Sequence, residues 1–410
     1  MASFMSKRWL IPAAIIGAVL AIAMGAAATV VVMRVVENSS QEPAYRRARD
    51  AGELETRISK VLADQAAALL RKDEKGFLKP AKDDAVREKL QLRYTNLVAL
   101  KAAKFTLGLR FLSISSTPDR WQAELVVSFC FVTPDCVVDK IYEPTLWIES
   151  RNGPELVSLE PAKPSENWFG DPQPWETTKL KVAHRGRVLV AAPESLEHRL
   201  NDVLEAAYAA VPVADAFAIG SPPDLYRVYV ADADTWKSWY GRKPPDWSAG
   251  YALPVGATHS DVVLNSEHNR ASNLPEMLRH ELTHASTIQG VHQWAENWWL
   301  IEGIAEVAGY GDGESPADED LKRFIRNGWD RKLNRDGPDD DATAAEAARA
   351  YSIAFLAVKR LETRFGRAKL LTFFERVVEF GEDYEKASTT AFGTSWAGVE
   401  ADCLASVRSA

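Results

Sequence analysis

Residues 280–284 read His280-Glu281-Leu282-Thr283-His284, which is an HExxH pattern. On an α-helix, positions i and i+4 lie on the same face, so both imidazoles can reach one metal ion. Glu281 lies beside them, where its carboxylate can accept a proton from a water that the metal activates. The pattern therefore predicts a metal site, although a surface helix with two solvated histidines is the alternative that the spacing alone leaves open.

The residues before this pattern predict where its helix begins. Asn273 is a favourable N-cap residue, and Glu276 three positions later completes a capping box. Pro275 falls in the first turn, where the N–H that it lacks would have no helical partner. We therefore expect a helix that starts near Asn273 and carries an apolar stripe of Leu274, Met277, Leu278, Leu282 and Ala285.

A second helix is predicted over Trp299–Glu306, which begins 15 residues after His284. Within it, Glu302 and Glu306 are four positions apart and therefore share a face. A catalytic zinc ion takes three protein ligands and keeps one open position, and a histidine ligand also needs an acceptor for its second ring nitrogen. Two carboxylates one turn apart can supply both, but their spacing leaves open which one binds the metal.

Together, these two segments resemble the gluzincin metallopeptidases, the thermolysin and aminopeptidase group, and most closely the bacterial peptidase MA-like proteins. We assign residues 181–410 to such a domain, with a mixed sheet lobe and a helical lobe. The resemblance continues near the carboxy terminus, in Tyr351–Phe355, Arg364–Gly366 and Ala391–Ser395.

The resemblance implies a ligand set for one zinc ion per chain, namely His280, His284 and Glu302. It also implies that Glu306 accepts a hydrogen bond from His280. The 17 residues between His284 and Glu302 are slightly fewer than in the better-known branches, which could place the second helix differently. With Glu281 as general base, the implied activity is hydrolysis of peptide bonds, in a peptide or protein substrate.

Two further roles come from the same resemblance. A tyrosine of the helical lobe would stabilise the oxyanion, and Tyr351, which follows a Thr343-x-x-Glu346 capping box, is the candidate. A core tyrosine is the alternative. The substrate backbone would lie along an edge strand before the HExxH helix, and the residues at that position are Val262, Val263, Leu264 and Asn265. An ordinary interior strand is the alternative there.

Other polar residues of this domain have simpler predicted roles. We expect His259, His268 and His292 to lie at the surface or the rim of the site, and the acidic residues of 311–320 to be solvated. The Gly-Ala/Met-x-Glu-Asn segment that would hold a free substrate amine is absent from the sequence, since Gly256-Ala257-Thr258-His259 departs from it. This departure favours an endopeptidase over an exopeptidase.

The residues upstream predict a separate small domain. Two amphipathic helical patterns precede strands over 104–114, 121–131, 137–149 and 155–159. This order predicts an α+β domain over residues 44–160, and its pattern resembles the NTF2-like superfamily. It shows no catalytic constellation, so a spacer, a substrate-recruiting module and an autoinhibitory cover are all open roles. A Pro-rich linker, partly packed by its aromatic residues, is predicted over residues 161–180.

The three cysteines exclude a disulfide-dense scaffold. Cys130 and Cys136 flank a Pro134-Asp135 turn and could form a disulfide outside the cytosol, with two small buried side chains as the alternative. Cys403 is expected to be buried.

The amino terminus predicts a membrane anchor. Residues 10–33 carry no charge, and a helix of this length can cross a hydrocarbon core of about 30 Å. Residues 1–38 would then be a cytoplasmic tip and a single lipid-spanning helix. Gly25–Ala28 could instead mark signal-peptide cleavage. Basic residues on both sides leave the orientation undecided, and we favour carboxy-terminal domains outside the cytoplasm in the cell membrane.

Overall composition limits the class of protein. The 410 residues carry 49 basic and 57 acidic side chains, a net charge of −8, which argues against nucleic acid as a partner. The sequence thus predicts a membrane-anchored zinc metallopeptidase of α+β class. The alternatives are a non-catalytic, zinc-stabilised binding or sensing protein and a zinc hydrolase with a substrate other than peptide.

Overall fold

A computed structural model describes residues 51–117, 119–161, 172–255, 259–288, 297–311, 318–333 and 336–410. The chain divides into two compact units, Met1–Leu54 and Glu55–Ala410, and the elements named here, apart from residues 51–54 of the first helix, belong to the second. In the described ranges, no helix is both long and apolar enough to cross a membrane. The predicted membrane segment, residues 10–33, lies outside these ranges.

Helices and an antiparallel sheet form the first part of the second unit. Its elements are α1, which ends at residue 70, α2 (Glu74–Leu78), α3 (Asp84–Ala99), β1 (Ala102–Ile114), β2 (Arg120–Phe131), β3 (Asp139–Ser150) and β4 (Gly153–Leu159). The four strands pair in chain order, each antiparallel to the next. We call this part the upstream domain. Its order of elements is the predicted α+β order, whereas its NTF2-like relationship remains a prediction.

The core of the upstream domain follows from the alternation of side chains along β2. Leu125, Val127 and Phe129 alternate with more exposed residues and are buried on one face of the sheet. Leu90 and Leu97 of α3 line the same interior as Leu125. The helix therefore covers the sheet on the face that carries the large apolar side chains.

The segment predicted as a linker, residues 161–180, is partly a packed element of this core. Within it, α4 (Pro174–Thr177) buries Trp175, whose ring lies 5.5 Å from that of Phe129. Glu176 accepts a hydrogen bond of 2.6 Å from the guanidinium of Arg93. α4 thus packs against the upstream domain through an aromatic and an acidic side chain, while the assignment of the whole segment as a linker remains a prediction. Residues 162–171 lie outside the described ranges.

A five-stranded mixed sheet follows. Its elements, in chain order, are β5 (Leu180–Arg185), β6 (Val188–Pro193), a 3₁₀ turn (Glu194–Arg199), α5 (Leu200–Ala216), β7 (Tyr226–Ala231), α6 (Ala233–Tyr240), β8 (Gly250–Val255) and β9 (His259–Asn265). The strand order is β5-β6-β7-β9-β8, with β6, β7 and β9 parallel and the two outer strands antiparallel. The sequence patterns do not predict β5, whose side chains alternate only weakly in burial.

The strand predicted to be the edge is an interior strand. Val262, Val263, Leu264 and Asn265 belong to β9, which pairs with β7 on one side and β8 on the other. All four residues are buried. The edge on this side of the sheet, in the described part of the chain, is β8 (Gly250–Val255). The edge prediction is therefore wrong, because a run buried on both faces cannot reveal whether a further strand pairs beyond it.

The rest of the chain is helical. Its elements are α7 (Leu274–Thr287), α8 (Trp298–Tyr310), α9 (Glu319–Asn327), α10 (Ala344–Phe365), α11 (Arg367–Phe374), a π-helical turn (Glu375–Glu379), α12 (Tyr384–Phe392) and α13 (Trp396–Ser409). The core between α8 and α10 is tight at Gly303. A Cβ atom there would lie 2.4 Å from Val358 Cγ2 and 2.6 Å from the carbonyl oxygen of Ala354. This close approach requires glycine and fixes the adjacent residue, Glu302, against the helical lobe.

α7 begins at Leu274, directly after Asn273 as predicted, but its capping contacts differ from the prediction. The side chain of Asn273 accepts a hydrogen bond from the backbone N–H of Arg270 and donates one to the carbonyl of His268, at 2.7 and 3.0 Å. It therefore braces the preceding turn and does not cap the helix, so the capping box with Glu276 is wrong. The capping box of α10 is confirmed, since Thr343 and Glu346 bond reciprocally.

Candidate metal centre

Two neighbouring helices bring three buried side chains together. His280 and His284 lie one turn apart on α7, and Glu302 reaches them from α8. The Nε2 atoms of the two histidines are 3.0 Å apart, and Glu302 Oε2 lies 3.3 Å from His280 Nε2 and 3.1 Å from His284 Nε2. Their ligand atoms all fall within 4.8 Å of one another. The structure therefore brings together all three residues that the sequence predicts as ligands.

The arrangement fits a zinc ion. Zinc binds imidazole nitrogen and carboxylate oxygen at about 2.0–2.2 Å, so ligand atoms on adjacent corners of a tetrahedron lie about 3.3 Å apart. The three separations of 3.0–3.3 Å match that geometry. Two neutral imidazoles and one carboxylate also form a donor set that suits zinc. His280, His284 and Glu302 would hold the ion and leave a fourth position open.

Glu306 contacts the other ring nitrogen of His280. Its Oε1 atom lies 2.9 Å from His280 Nδ1. When Nδ1–H donates to this carboxylate, the lone pair of Nε2 faces Glu302 and His284. The structure thus gives Glu302 and Glu306 different neighbours, in the arrangement that the family resemblance implies.

Burial and the neighbouring charges act in opposite directions on the pKa of the buried carboxyl groups in the site. Burial alone would raise the pKa of Glu302, but the charges and hydrogen bonds of His284 and His280 lower it to about 2. Glu281 has no comparable contact, so burial raises its pKa, against the opposing effect of the two imidazoles. Glu302 is therefore held as a carboxylate, whereas Glu281 has a stronger tendency to hold a proton.

Glu281 lies against the start of the edge strand. It is 3% exposed, and among the described residues its Oε2 atom has no hydrogen-bond partner. Gly250, the first residue of β8, allows this approach, since a Cβ atom there would lie 2.8 Å from Glu281 Oε1. Sequence reasoning missed Gly250, and the signal that could have found it is a glycine at the start of a predicted strand.

A cavity of about 650 Å³ opens beside the ligands. Glu281, Glu306 and Tyr351 line it, together with the loop before β8 and parts of α7, α8, α9 and α10, namely Trp247, Ser248, Ala249, Gly250, Glu276, Met277, His280, Tyr310, Asp318, Asp320, Leu321, Ala344, Ala345, Ala347, Ala348, Arg349 and Ser352. Arg349 is held by Asp320, with an N–O distance of 2.8 Å. The cavity is large enough for part of an extended substrate, and its lining carries five acidic side chains and one arginine.

Tyr351 lies in this cavity, on α10. Its ring is 6.1 Å from the ring of His280 and packs edge-on against Trp298 at 4.9 Å. Burial and the nearby charge of Glu302 raise the pKa of its hydroxyl well above the usual value, so the phenol keeps its proton. Tyr351 can therefore act as a hydrogen-bond donor in the cavity, and its role in catalysis remains a prediction.

The other sequence-predicted residues lie elsewhere. Cys130 and Cys136 are joined by a disulfide, with their Cα atoms 5.9 Å apart, and Cys403 is buried as predicted. His268 is exposed, as predicted. His259 is 5% exposed and bonded to two carboxylates, so its prediction as a surface or rim residue is wrong. The predicted position of His292 lies outside the described residues.

Comparison with known proteins gives distant structural likenesses. No family model and no curated protein matches the chain. Native LTA4 hydrolase from yeast is similar over 71% of this chain and 65% of its own length, with 12% identity and a TM-score of 0.38. An M1 zinc metallopeptidase mutant from Deinococcus radiodurans, bound to a Tyr-Ser-Ala substrate, is similar over 75% of this chain and 61% of its own, with 15% identity and a TM-score of 0.34. The chain thus spans less than two thirds of each of these structures, and likenesses this distant carry no argument about activity.

Proposed function

We propose that this protein is a zinc metallopeptidase that hydrolyses peptide bonds with Glu281 as general base. One observation carries the proposal. His280, His284 and Glu302 converge within zinc-binding distance of one another, and Glu281, beside them, lines a cavity with an unpartnered carboxylate oxygen. A solvated pair of surface histidines, the alternative at the sequence level, is inconsistent with the burial of all three ligand residues.

The chemistry divides between the ion and the side chains. Zinc, when bound, supplies a Lewis acid that lowers the pKa of water and polarises a carbonyl group. Glu281 accepts the proton from the attacking water and then delivers it to the departing amine nitrogen as the C–N bond breaks. Glu306 holds His280 in the tautomer whose Nε2 can bind the metal. Tyr351 donates a hydrogen bond to the oxyanion that forms on the former carbonyl oxygen.

Substrate would lie beside β8, because this is the outermost strand on its side of the described sheet and its first residue abuts Glu281. An extended peptide added to that edge would bring its backbone carbonyls past the metal ligands. Absence of a segment for a free amine favours cleavage within a chain, so we propose an endopeptidase. The uncharged run of residues 10–33 supports an anchor in the cell membrane, with the peptidase domain outside the cytoplasm.

The test is an assay of the full chain on a mixed peptide library, with and without a chelator, together with metal analysis. The proposal expects about one zinc per chain and internal cleavage that the chelator abolishes and added zinc restores. Zinc without cleavage of any peptide would instead indicate the non-catalytic binding protein or a hydrolase of another substrate. Cleavage that persists in chelator, with no metal bound, would contradict the proposal.

A further inference from the structure

We infer that the upstream domain positions the substrate-binding edge of the peptidase sheet, through a buried cluster of charged side chains centred on Asp139 and His259. The inference deepens the proposed function and rests on it for the identity of the substrate. It assigns a task to residues for which the sequence gives none. Asp139 is the first residue of β3 in the upstream domain, and His259 is the first residue of β9 in the peptidase sheet.

The contacts in this cluster form a continuous chain across the two domains. Asp139 Oδ1 lies 3.0 Å from His259 Nδ1, and Asp139 Oδ2 accepts a 2.6 Å hydrogen bond from Arg227 of β7. His259 Nε2 lies 2.8 Å from Asp224 Oδ1, and Arg227 Nε lies 2.5 Å from Asp261 Oδ1 on β9. One residue of the upstream domain therefore bonds to two different strands of the other sheet. We call these five residues the charge clamp.

Most side chains of the charge clamp are buried, so water cannot replace their contacts. Asp139 is 1% exposed, and Arg227 and Asp261 are each 3% exposed. Removing one partner of a buried ion pair leaves a charge that water cannot solvate, which is more costly than the loss of an exposed pair. Three carboxylates face one guanidinium and one imidazole here, so each buried charge in the clamp is stabilised by neighbours of opposite charge. The clamp is thus a specific contact between the domains, unlike a flexible tether.

A neighbouring loop holds Asp139 in place. The disulfide between Cys130 and Cys136 closes the connection from β2 towards β3. The next residue, Val137, donates its backbone N–H to Asp224 Oδ2 at 2.7 Å, which ties the loop to the residue that also contacts His259. The loop therefore approaches the peptidase sheet with two of its residues, Val137 and Asp139.

The charge clamp contacts the antiparallel pair of β8 and β9, which we call the edge hairpin, at the end that lies away from the metal ligands. His259 pairs with Val255 in the β8–β9 register, whereas Gly250, at the other end of β8, abuts Glu281. Six residues of strand span about 20 Å, so the clamp fixes the far end of the edge along which a long peptide would lie. Short peptides that occupy the Gly250 end alone would not depend on that far end.

The experiment compares Asp139→Asn and Asp224→Asn with a matched control, Glu143→Gln, in the full chain. Glu143 lies on the same strand as Asp139 and is equally buried, but it bonds to Arg93 inside the upstream domain. Asp224 is partly exposed, so its variant tests the clamp even where Asp139→Asn fails to fold. Amide hydrogen exchange of β8 and β9 is the first readout, and KM for peptides of three and eight residues is the second.

The inference expects faster exchange in β8 and β9 of both clamp variants, with β5 unchanged. It also expects KM for the eight-residue peptide to rise about two- to thirtyfold, the usual range for coupling through a packed network, with kcat and the three-residue KM unchanged. Glu143→Gln should match the wild type in both readouts. Exchange in the hairpin that stays at wild-type rates in both clamp variants, or that rises equally in Glu143→Gln, would overturn the inference. If the wild type cleaves no peptide, the proposed function fails, whereas the exchange readout still decides whether the clamp holds the hairpin.

Discussion

His280 Nδ1 lies 2.9 Å from Glu306 Oε1, while His280 Nε2 lies 3.3 Å from Glu302 Oε2. The two nitrogens of one imidazole thus face two carboxylates that are one helical turn apart on α8. A metal ion at Nε2 would contact Glu302, and Glu306 would act on it through the imidazole ring. The same helix therefore supplies both a ligand and the residue that orients another ligand.

This division of roles predicts different losses for the two carboxylates. Glu302→Ala leaves two imidazoles to bind zinc, so the variant should be purified nearly free of metal. Glu306→Ala keeps all three ligands but loses the acceptor for His280, which typically weakens metal affinity or activity by about 10–100-fold. Zinc titration of both variants, with the unfolding temperature measured in parallel, distinguishes the two effects. A Glu306→Ala variant that loses its metal while Glu302→Ala retains it would invert the assignment.

The closeness of Gly250 to Glu281 gives a second prediction. The methyl group of Gly250→Ala would lie 2.8 Å from Glu281 Oε1, so the carboxylate must move. A displacement of about 1 Å can cost about 100-fold in rate, and we expect a loss of that order in kcat with zinc content unchanged. Gly108→Ala, in a strand of the upstream domain where a Cβ atom meets its nearest neighbour at 3.9 Å, is the control. Equal activity of both variants would mean that Glu281 does not need its present position.

Tyr351 provides a third prediction, which separates catalysis from packing. Tyr351→Phe keeps the ring that contacts Trp298 and removes the hydroxyl alone. Loss of an oxyanion donor typically lowers kcat by about 100–1,000-fold, and we expect this drop with little change in KM. Steady-state kinetics on a cleavable peptide, with circular dichroism to verify folding, is the measurement. An unchanged kcat would leave Tyr351 as a core tyrosine.

Stability should depend on pH through a buried carboxyl group far from the metal ligands. Burial raises the pKa of Glu176 to about 8, with Arg93 opposing this shift and Glu143 adding to it. Because the folded pKa lies above that of the unfolded chain, the neutral form stabilises the fold. This stability is fully present below about pH 4.5, falls as the pH rises, and is lost once the pH passes about 8.

Glu176→Gln should remove this dependence, since the amide resembles the protonated carboxyl and cannot ionise. Its free energy of unfolding relative to the wild type should therefore rise between about pH 4.5 and about pH 8, the window set by the two pKa values. Denaturant unfolding at several pH values measures this, with the exposed Glu88→Gln as control. A constant difference between variant and wild type across the window would show that Glu176 is ionised in the folded protein throughout.

Helical periodicity predicts which residues share a face, whereas the choice of Glu302 over Glu306 as the third ligand comes from the family resemblance. The i, i+4 spacing of His280 and His284 fixes their shared face, and the same rule places Glu302 and Glu306 together. The position of α8 also depends on packing between helices. Gly303 contributes to it by allowing α8 to approach α10 closely. The α+β class followed from the order of helical and alternating patterns in the same way.

Features that depend on contacts between residues far apart in the chain could not be predicted from the sequence. A buried run such as Val262–Asn265 has the same sequence pattern in an edge strand as in an interior strand. The sequence therefore cannot show that β8, and not β9, forms the edge of the sheet. His259 looked like a surface histidine because its partners, Asp139 and Asp224, lie 120 and 35 positions away in the chain. Asn273 carried a capping signature, but local bonds to the preceding turn competed for its side chain.

The central claim is that Glu281 is the base beside a zinc ion held by His280, His284 and Glu302. Glu281→Gln tests it most directly, because the change removes the base and leaves every ligand in place. Metal analysis and a peptide cleavage assay are made on the same preparation of variant and wild type. We predict that the variant retains about one zinc per chain, as the wild type does, and loses hydrolysis. Cleavage at the wild-type rate by a zinc-loaded Glu281→Gln variant would contradict the claim.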